Sequence, residues 1–280
     1  MNLRRFIPIR RFREPPPVVA VVRLDGAIGR FGVLRKGLTL AALEKQFAQA
    51  FSLRHLSAVA LAVNSPGGSA VQAAQIFTRI RALADEKEVP VFAFAEDVAG
   101  SGGYWLALAG DEIYADASSI VGSVGVLFQS FGFTDAIARL GIERRVHTAG
   151  TRKGALDAFR PENPEDVEML KNIQSDVHDA FKDLVRARRG DKLNGSEDEM
   201  FSGAFWSGKR AVELGLIDGL GDLRGVMRER FGDRVRLKQI EAHRGWLRGR
   251  LGVGAADPVA IGEGAIAAVE ERLLWSRYGL

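Results

Sequence analysis

The residues best suited to do chemistry are Ala99-Gly100-Ser101-Gly102-Gly103-Tyr104, which set a serine between an apolar run and a buried helical pattern. Upstream, Pro90–Ala95 is a short apolar run of strand length; downstream, Tyr104–Ala109 reads as a buried helix. A serine hydroxyl at such a junction lies beside unpaired helix N–H groups, which stabilise developing negative charge. Flanking glycines let a substrate carbonyl approach the backbone. That combination supplies a nucleophile, Ser101, and half of an oxyanion hole. A Ser-Gly-Gly turn is also an ordinary helix start, so the surroundings of Ser101 must decide.

A second glycine turn, Pro66-Gly67-Gly68, follows the preceding apolar run, Ala58–Val63. In a parallel sheet both turns emerge at the carboxyl edge, where open α/β folds bind ligands. The amides of Gly68 and Gly102 can then converge on one oxyanion. Ser101 still needs a base. Of the four histidines, His147 alone lies near an expected strand end, and no carboxylate stands out as its partner. Lys153, in the glycine-bounded loop Ala149-Gly150-Thr151-Arg152-Lys153-Gly154, is the better candidate. A lysine acts as a base only where burial or neighbouring positive charge brings its pKa down, and a solvated loop lysine is the competing reading. Ser123, in Val121-Gly122-Ser123-Val124-Gly125, is placed to orient the amine by a hydrogen bond.

The elements that must position these residues alternate. Strands are expected at Val18–Leu24, Ala58–Val63, Pro90–Ala95, Asp111–Ala115, Gly125–Phe128, Glu143–Thr148 and Val235–Ile240. Helices are expected at Thr39–Phe51, with Thr39 as cap, and at Ala70–Leu83, Asp135–Leu140, Asn163–Arg189, Lys209–Leu216, Leu223–Phe231 and Ala265–Arg277. This alternation predicts an α/β domain with a largely parallel sheet over 18–240, a basic tail at 1–17 and a helical extension at 241–280. The last segment is of the kind that docks on its parent domain or on a neighbouring subunit. No internal repeat divides the chain.

Composition narrows the chemistry. The absence of cysteine excludes disulfides and thiolate metal sites, and the histidines lack metal-ligand spacing, so no metal site is expected, and hydrolysis by a serine with a lysine base needs no metal or organic cofactor. A net charge of +4 owes much to Arg4, Arg5, Arg10, Arg11 and Arg13, interleaved with apolar residues, a segment suited equally to a solvated tail before Pro15-Pro16-Pro17 and to peripheral contact with an anionic membrane. No motif suggests nucleic-acid binding. Val18–Val22 is far shorter than the roughly twenty apolar residues that cross a bilayer, and the longer uncharged window Leu56–Phe77 is interrupted by the turn Asn64–Ser69, so no stretch reads as a membrane span.

The set Asn64-Ser65-Pro66-Gly67-Gly68, Ala99–Tyr104, Ile120–Gly125 and Lys153-Gly154, with Phe201-Ser202-Gly203, Trp206-Ser207-Gly208 and Ala211–Asp218 downstream, resembles the signal peptide peptidase A family of serine proteases. The resemblance covers roughly Val18–Val226. It implies a Clp-protease/crotonase-like fold, a spiral of β-β-α units, with Ser101 as nucleophile, Lys153 as general base, Ser123 orienting the lysine, and Gly68 and Gly102 as oxyanion donors. It also implies peptide substrates, signal-peptide remnants among them, and a homo-oligomeric ring in which serine and lysine come from adjacent subunits. Many members carry an N-terminal membrane anchor; here the expected location is cytoplasmic or peripheral to the inner membrane. An aromatic residue often precedes the base lysine in that family, whereas Arg152 stands here.

Three other readings share features with this one. The Clp protease proteolytic subunit uses a similar Asn-Ser-Pro-Gly-Gly turn with a Ser-His-Asp triad, but no histidine lies between Ser101 and Arg145. A crotonase-like acyl-CoA enzyme would use the same oxyanion donors with a carboxylate base, for which Asp111 and Glu112 are the candidates. A non-catalytic ring scaffold would keep the fold without the chemistry.

Overall fold

The computed structural model describes residues 15–31, 35–241, 268–269 and 271–280. The Arg-rich segment expected to touch membranes and most of the 241–280 extension therefore lie outside the described residues.

A β-branched run forms β1 (Val18–Asp25), followed by a short antiparallel pair, β2 (Arg30–Phe31) and β3 (Arg35–Lys36). Helix α1 (Leu40–Phe51) opens at Thr39, whose Oγ1 accepts from the Ala42 amide at 3.3 Å. Then come β4 (Leu56–Ser65), α2 (Ala70–Lys87), β5 (Val91–Gly100), α3 (Gly102–Ala107), β6 (Glu112–Ala115) and β7 (Ile120–Gly122). The chain continues through α4 (Thr134–Arg139), the long α5 (Pro164–Arg189), α6 (Glu197–Met200), β8 (Phe205–Ser207), α7 (Gly208–Glu213), β9 (Gly219–Leu220), α8 (Leu223–Phe231) and β10 (Arg236–Gln239). Residues 271–276 are helical.

The main sheet runs β10-β1-β4-β5-β6-β9, with every neighbouring pair parallel. Parallel strands need crossovers, and these cover both faces. Alternation sorts the side chains. Ala20, Val22 and Leu24 join Leu61, Ile76, Ile80 and Leu106 in the larger core, while Val19 and Val21 join Phe92, Phe94 and Met227 of α8 on the other face. The architecture is the α/β fold of the Clp-protease/crotonase type.

Two expected strands do not form. Gly125–Phe128 and Glu143–Thr148 are irregular and largely exposed, because their apolar residues find no sheet edge to pair with in this chain. The strand in that region is instead β7, where Val121 is buried between β5 and the antiparallel β8.

The distortion that builds the site lies in β5. Val63 pairs with Ala95 and Ser65 with Ala99, so two steps along β4 match four along β5. This bulge re-aims the strand. Before it, Phe92–Ala95 pair with β6; after it, Val98–Gly100 pair with β7. Asn64 holds the bulge, its Oδ1 accepting from the Val98 amide at 3.2 Å while its Nδ2 donates to Asp25 Oδ1 at 3.1 Å. Ser119 Oγ donates to the Glu96 carbonyl at 2.5 Å from the other side.

Candidate active site

Ser101 lies between β5 and α3, but its backbone is not that of a helix-capping serine. Its φ of 53° places a residue with a side chain in the left-handed region, and its hydroxyl makes no cap hydrogen bond. Ser69, Ser196 and Ser207, which open α2, α6 and α7, have extended backbones and do accept from the first-turn amides. The ordinary helix-start reading fits those three and not Ser101. Its geometry is that of a strained strand-to-helix turn that presents a side chain at the sheet edge. The strain is held by backbone on both sides: Ser101 N–H donates to the Gly122 carbonyl at 2.8 Å, and Trp105 N–H donates to the Ser101 carbonyl at 3.0 Å.

The two glycine turns are pressed together. A Cβ on Gly67 would lie 2.8 Å from Ser101 Cβ and 2.9 Å from Gly102 N, and one on Gly102 would lie 3.5 Å from Gly68 N. Around these amides the chain's own hydrogen bonds go elsewhere. Ser69, not Gly68, donates to the Ile28 carbonyl at 2.8 Å, and Gly67 donates to Ser65 Oγ at 3.3 Å. Gly102 is the first residue of α3, so its amide has no acceptor within the helix. Gly103 brings α3 against β4, since a Cβ there would sit 2.4 Å from the Ser65 carbonyl oxygen. Tyr104 anchors the same helix from beneath. Its buried hydroxyl donates to the Leu216 carbonyl at 2.7 Å, and burial pushes its pKa well above the ordinary phenol value.

Ser101, Gly68, Gly102 and Ser123 line one cleft of about 350 Å³. Ser123 is itself strained, at φ 56°, and buried, and its amide donates to the Ala204 carbonyl at 2.7 Å. One wall is apolar: Trp105 stacks on Phe181 of α5 with ring centroids 4.7 Å apart, and Val177 lies one turn earlier. The Trp105 indole N–H is buried without a partner among the described residues. Sequence reasoning missed this wall, although the i, i+4 spacing of Val177 and Phe181 was its available signal. Arg277 is the only charged residue among the described residues lining the cleft.

Lys153 does not line the cleft with Ser101. It lies exposed in the turn at 150–156. Its neighbour Arg152 pairs with Glu165 at 3.5 Å. His147 is exposed and does not line the cleft, and other candidate bases are engaged elsewhere. His178 Nε2 donates to the Val124 carbonyl at 3.2 Å. Asp111 accepts from the Val91 amide and pairs with Arg81 and Arg188, while Glu112 pairs with Tyr114 and Arg230. Among the described residues no group of carboxylates and histidines is arranged to hold a metal ion.

A parallel α/β sheet with a strained serine between two glycine turns at its carboxyl edge defines a protein of the Clp-protease/crotonase class. The model of peptidase family S49 matches residues 83–231, more than half of the sequence, and the chain belongs to that family. Over 73% of its length the chain is 31% identical to the chloroplastic serine protease SPPA of Arabidopsis thaliana, covering 31% of that protein. It is 29% identical to Protease 4 of Haemophilus influenzae over 74% of its length, covering 33% of that protein. A protein of Brucella abortus named Na(+)/H(+) antiporter NhaA is 50% identical over 99% of the chain, which covers 39% of it. The chain thus spans about two-fifths of the length of that relative. No described helix is long and apolar enough to cross a membrane. Among solved structures, a K138A mutant of the 1510-N membrane-bound stomatin-specific protease in complex with a substrate peptide superposes with a TM-score of 0.50. It is 13% identical, with 82% of this chain and 95% of that chain covered, a likeness of fold.

Proposed function

We propose that the chain is the catalytic unit of a serine endopeptidase with a Ser/Lys dyad. Ser101 Oγ attacks a peptide carbonyl, Lys153 takes its proton and returns it to the leaving amine, and water then hydrolyses the acyl-enzyme. The amides of Gly68 and Gly102 hold the oxyanion, and Ser123 orients the lysine. The observation that carries this reading is the uncapped Ser101 at φ 53°, set against the Gly67-Gly68 turn in one cleft. The acyl-CoA alternative lacks support here because Asp111 and Glu112 are tied into ion pairs and line no part of that cleft.

The lysine is supplied by a second copy of the chain. The segment that carries it exposes Leu127, Phe128, Phe131, Phe133, Leu140 and Ile142, with Phe131 74% and Leu140 72% accessible. An apolar run of that size is covered by a partner. A homo-oligomeric ring would bury it and carry Lys153 to a neighbour's Ser101. The substrates are extended, unfolded peptides, signal-peptide remnants among them, as the name of a relative from Enterococcus faecium, a putative signal peptide peptidase, suggests. The protein works without a cofactor, in the cytoplasm or at the inner-membrane surface.

The test is complementation. Ser101→Ala and Lys153→Ala proteins are each expected to be inactive on an unfolded peptide. Mixed in equal amounts under conditions that exchange subunits, they should recover roughly a quarter of wild-type activity, the fraction of interfaces at which both intact residues meet. No recovery from mixed, assembled rings would place the dyad within one chain.

A further inference from the structure

The described end of the chain lies on the cleft. Tyr278 is only 6% exposed, and its hydroxyl donates to the Pro66 carbonyl at 3.3 Å. Its ring meets Phe205 of β8 edge-on, with centroids 5.1 Å apart. A Cβ on Gly100 would lie 2.4 Å from the Tyr278 hydroxyl oxygen, so the ring fills the space directly over the residue before Ser101. Leu274, one turn before Tyr278, and Arg277, its immediate neighbour, line the cleft beside Ser101 and Trp105. One short segment therefore touches both glycine turns and closes one side of the cavity between them.

We propose that residues 271–280 are a built-in cover of the Ser101 cleft, fastened by Tyr278, and that an extended peptide gains the cleft only when this segment has left it. The proposal rests on the reading of that cleft as the peptide-binding site. The fastening is light. Leu273 and Leu280 remain 46% and 45% exposed, and within the segment Tyr278 is the one buried residue. A light fastening suffices, because a segment on the same chain competes at an effective concentration on the order of millimolar. A cover in place about nine-tenths of the time lowers the apparent affinity for a competing peptide about tenfold. The cover thus provides a threshold: weakly bound peptides are kept out, and those that outcompete the segment are admitted.

The test uses the full chain as wild type, Tyr278→Ala and Tyr278→Phe, with a fluorescent peptide of the sequence 268–280 as probe. Anisotropy should show the probe binding Tyr278→Ala about tenfold more tightly than wild type, with Tyr278→Phe close to wild type because the ring is kept. A probe whose own tyrosine is replaced by alanine should not compete. The rate at which a bulky fluorophosphonate labels Ser101 should rise in parallel in Tyr278→Ala. Equal probe affinity for wild type and Tyr278→Ala, with thermal unfolding showing both folded, would overturn the cover. An affinity difference without any labelling would keep the cover and count instead against Ser101 as nucleophile.

Discussion

Replacing Gly103 by alanine is expected to damage the protein twice, once in stability and once in rate. The new methyl group would sit 2.4 Å from the Ser65 carbonyl oxygen, where ordinary contact begins at 3.4 Å. Either α3 or the end of β4 must yield by about 1 Å, and overpacking of backbone against backbone costs about 1–3 kcal/mol. Alanine recovers about 1 kcal/mol of helix propensity, leaving a net loss of up to about 2 kcal/mol. The rate should suffer more. Ser65 leads into the Gly67-Gly68 turn and Gly103 follows Ser101-Gly102, so the shift separates the nucleophile from one oxyanion donor. A misplacement of about 1 Å costs on the order of 100-fold in rate. Urea unfolding and kcat/KM on an unfolded peptide measure the two effects, with Gly219→Ala as control because a Cβ there would meet only ordinary contact, 3.4 Å from the Tyr114 ring. Wild-type stability together with wild-type kcat/KM in Gly103→Ala would refute the claim that this contact sets the register of the two turns.

Removing the Asn64 side chain by Asn64→Ala leaves the Val98 amide without its acceptor, and a loss of about 1–3 kcal/mol is expected. Faster amide exchange at Val98 than at Leu61 would mark the bulge as the place that loosens. Asp218 accepts from Arg189 Nη1 and Lys192 Nζ, each at 2.7 Å, and Arg189 is nearly buried. Burial alone would raise the Asp218 carboxyl, but hydrogen bonds from Arg189, Lys192 and the Ile113 amide hold it below its ordinary value. A depressed carboxylate contributes stability that is complete above its unfolded pKa and is lost as pH falls through the folded one. Acid unfolding of wild type should therefore include this loss. Asp218→Asn should be less stable at neutral pH by about 3 kcal/mol, because it strands the Arg189 charge, and the gap to wild type should narrow in acid.

Much of this was legible because local chemistry and tertiary structure agree. Thr39 caps α1 as its hydroxyl suggests, the β-branched run at Val18 forms a buried parallel strand, and Ser101, Gly68, Gly102 and Ser123 share a cleft. Where they disagree, reading by pattern fails. Glu96-Asp97 looks like the end of a strand, yet β5 continues to Gly100, because Asn64 and Ser119 satisfy the bulged backbone from the sides. No local pattern can show such partners, 32 and 23 residues away from Glu96 in the chain. The apolar runs at Gly125–Phe128 and Glu143–Thr148 have strand composition, but composition alone does not supply an edge. That Lys153 does not line the cleft with Ser101 has no local signal either, and only the resemblance to known proteases suggests a dyad divided between chains. The placement of Tyr278 over Gly100 joins residues 178 positions apart, and no spacing rule connects them.

The central claim is that Ser101 is a nucleophile whose activation depends on Lys153. The most direct measurement is the intact mass of the assembled protein after treatment with a small fluorophosphonate at neutral to mildly alkaline pH. It would be made on wild type, Ser101→Ala and Lys153→Ala, with peptide mapping of the adduct. The account predicts one adduct per chain on wild type, mapped to Ser101, and none on either variant. An adduct that persists in Ser101→Ala, or a folded, assembled wild type that takes up none, would contradict it.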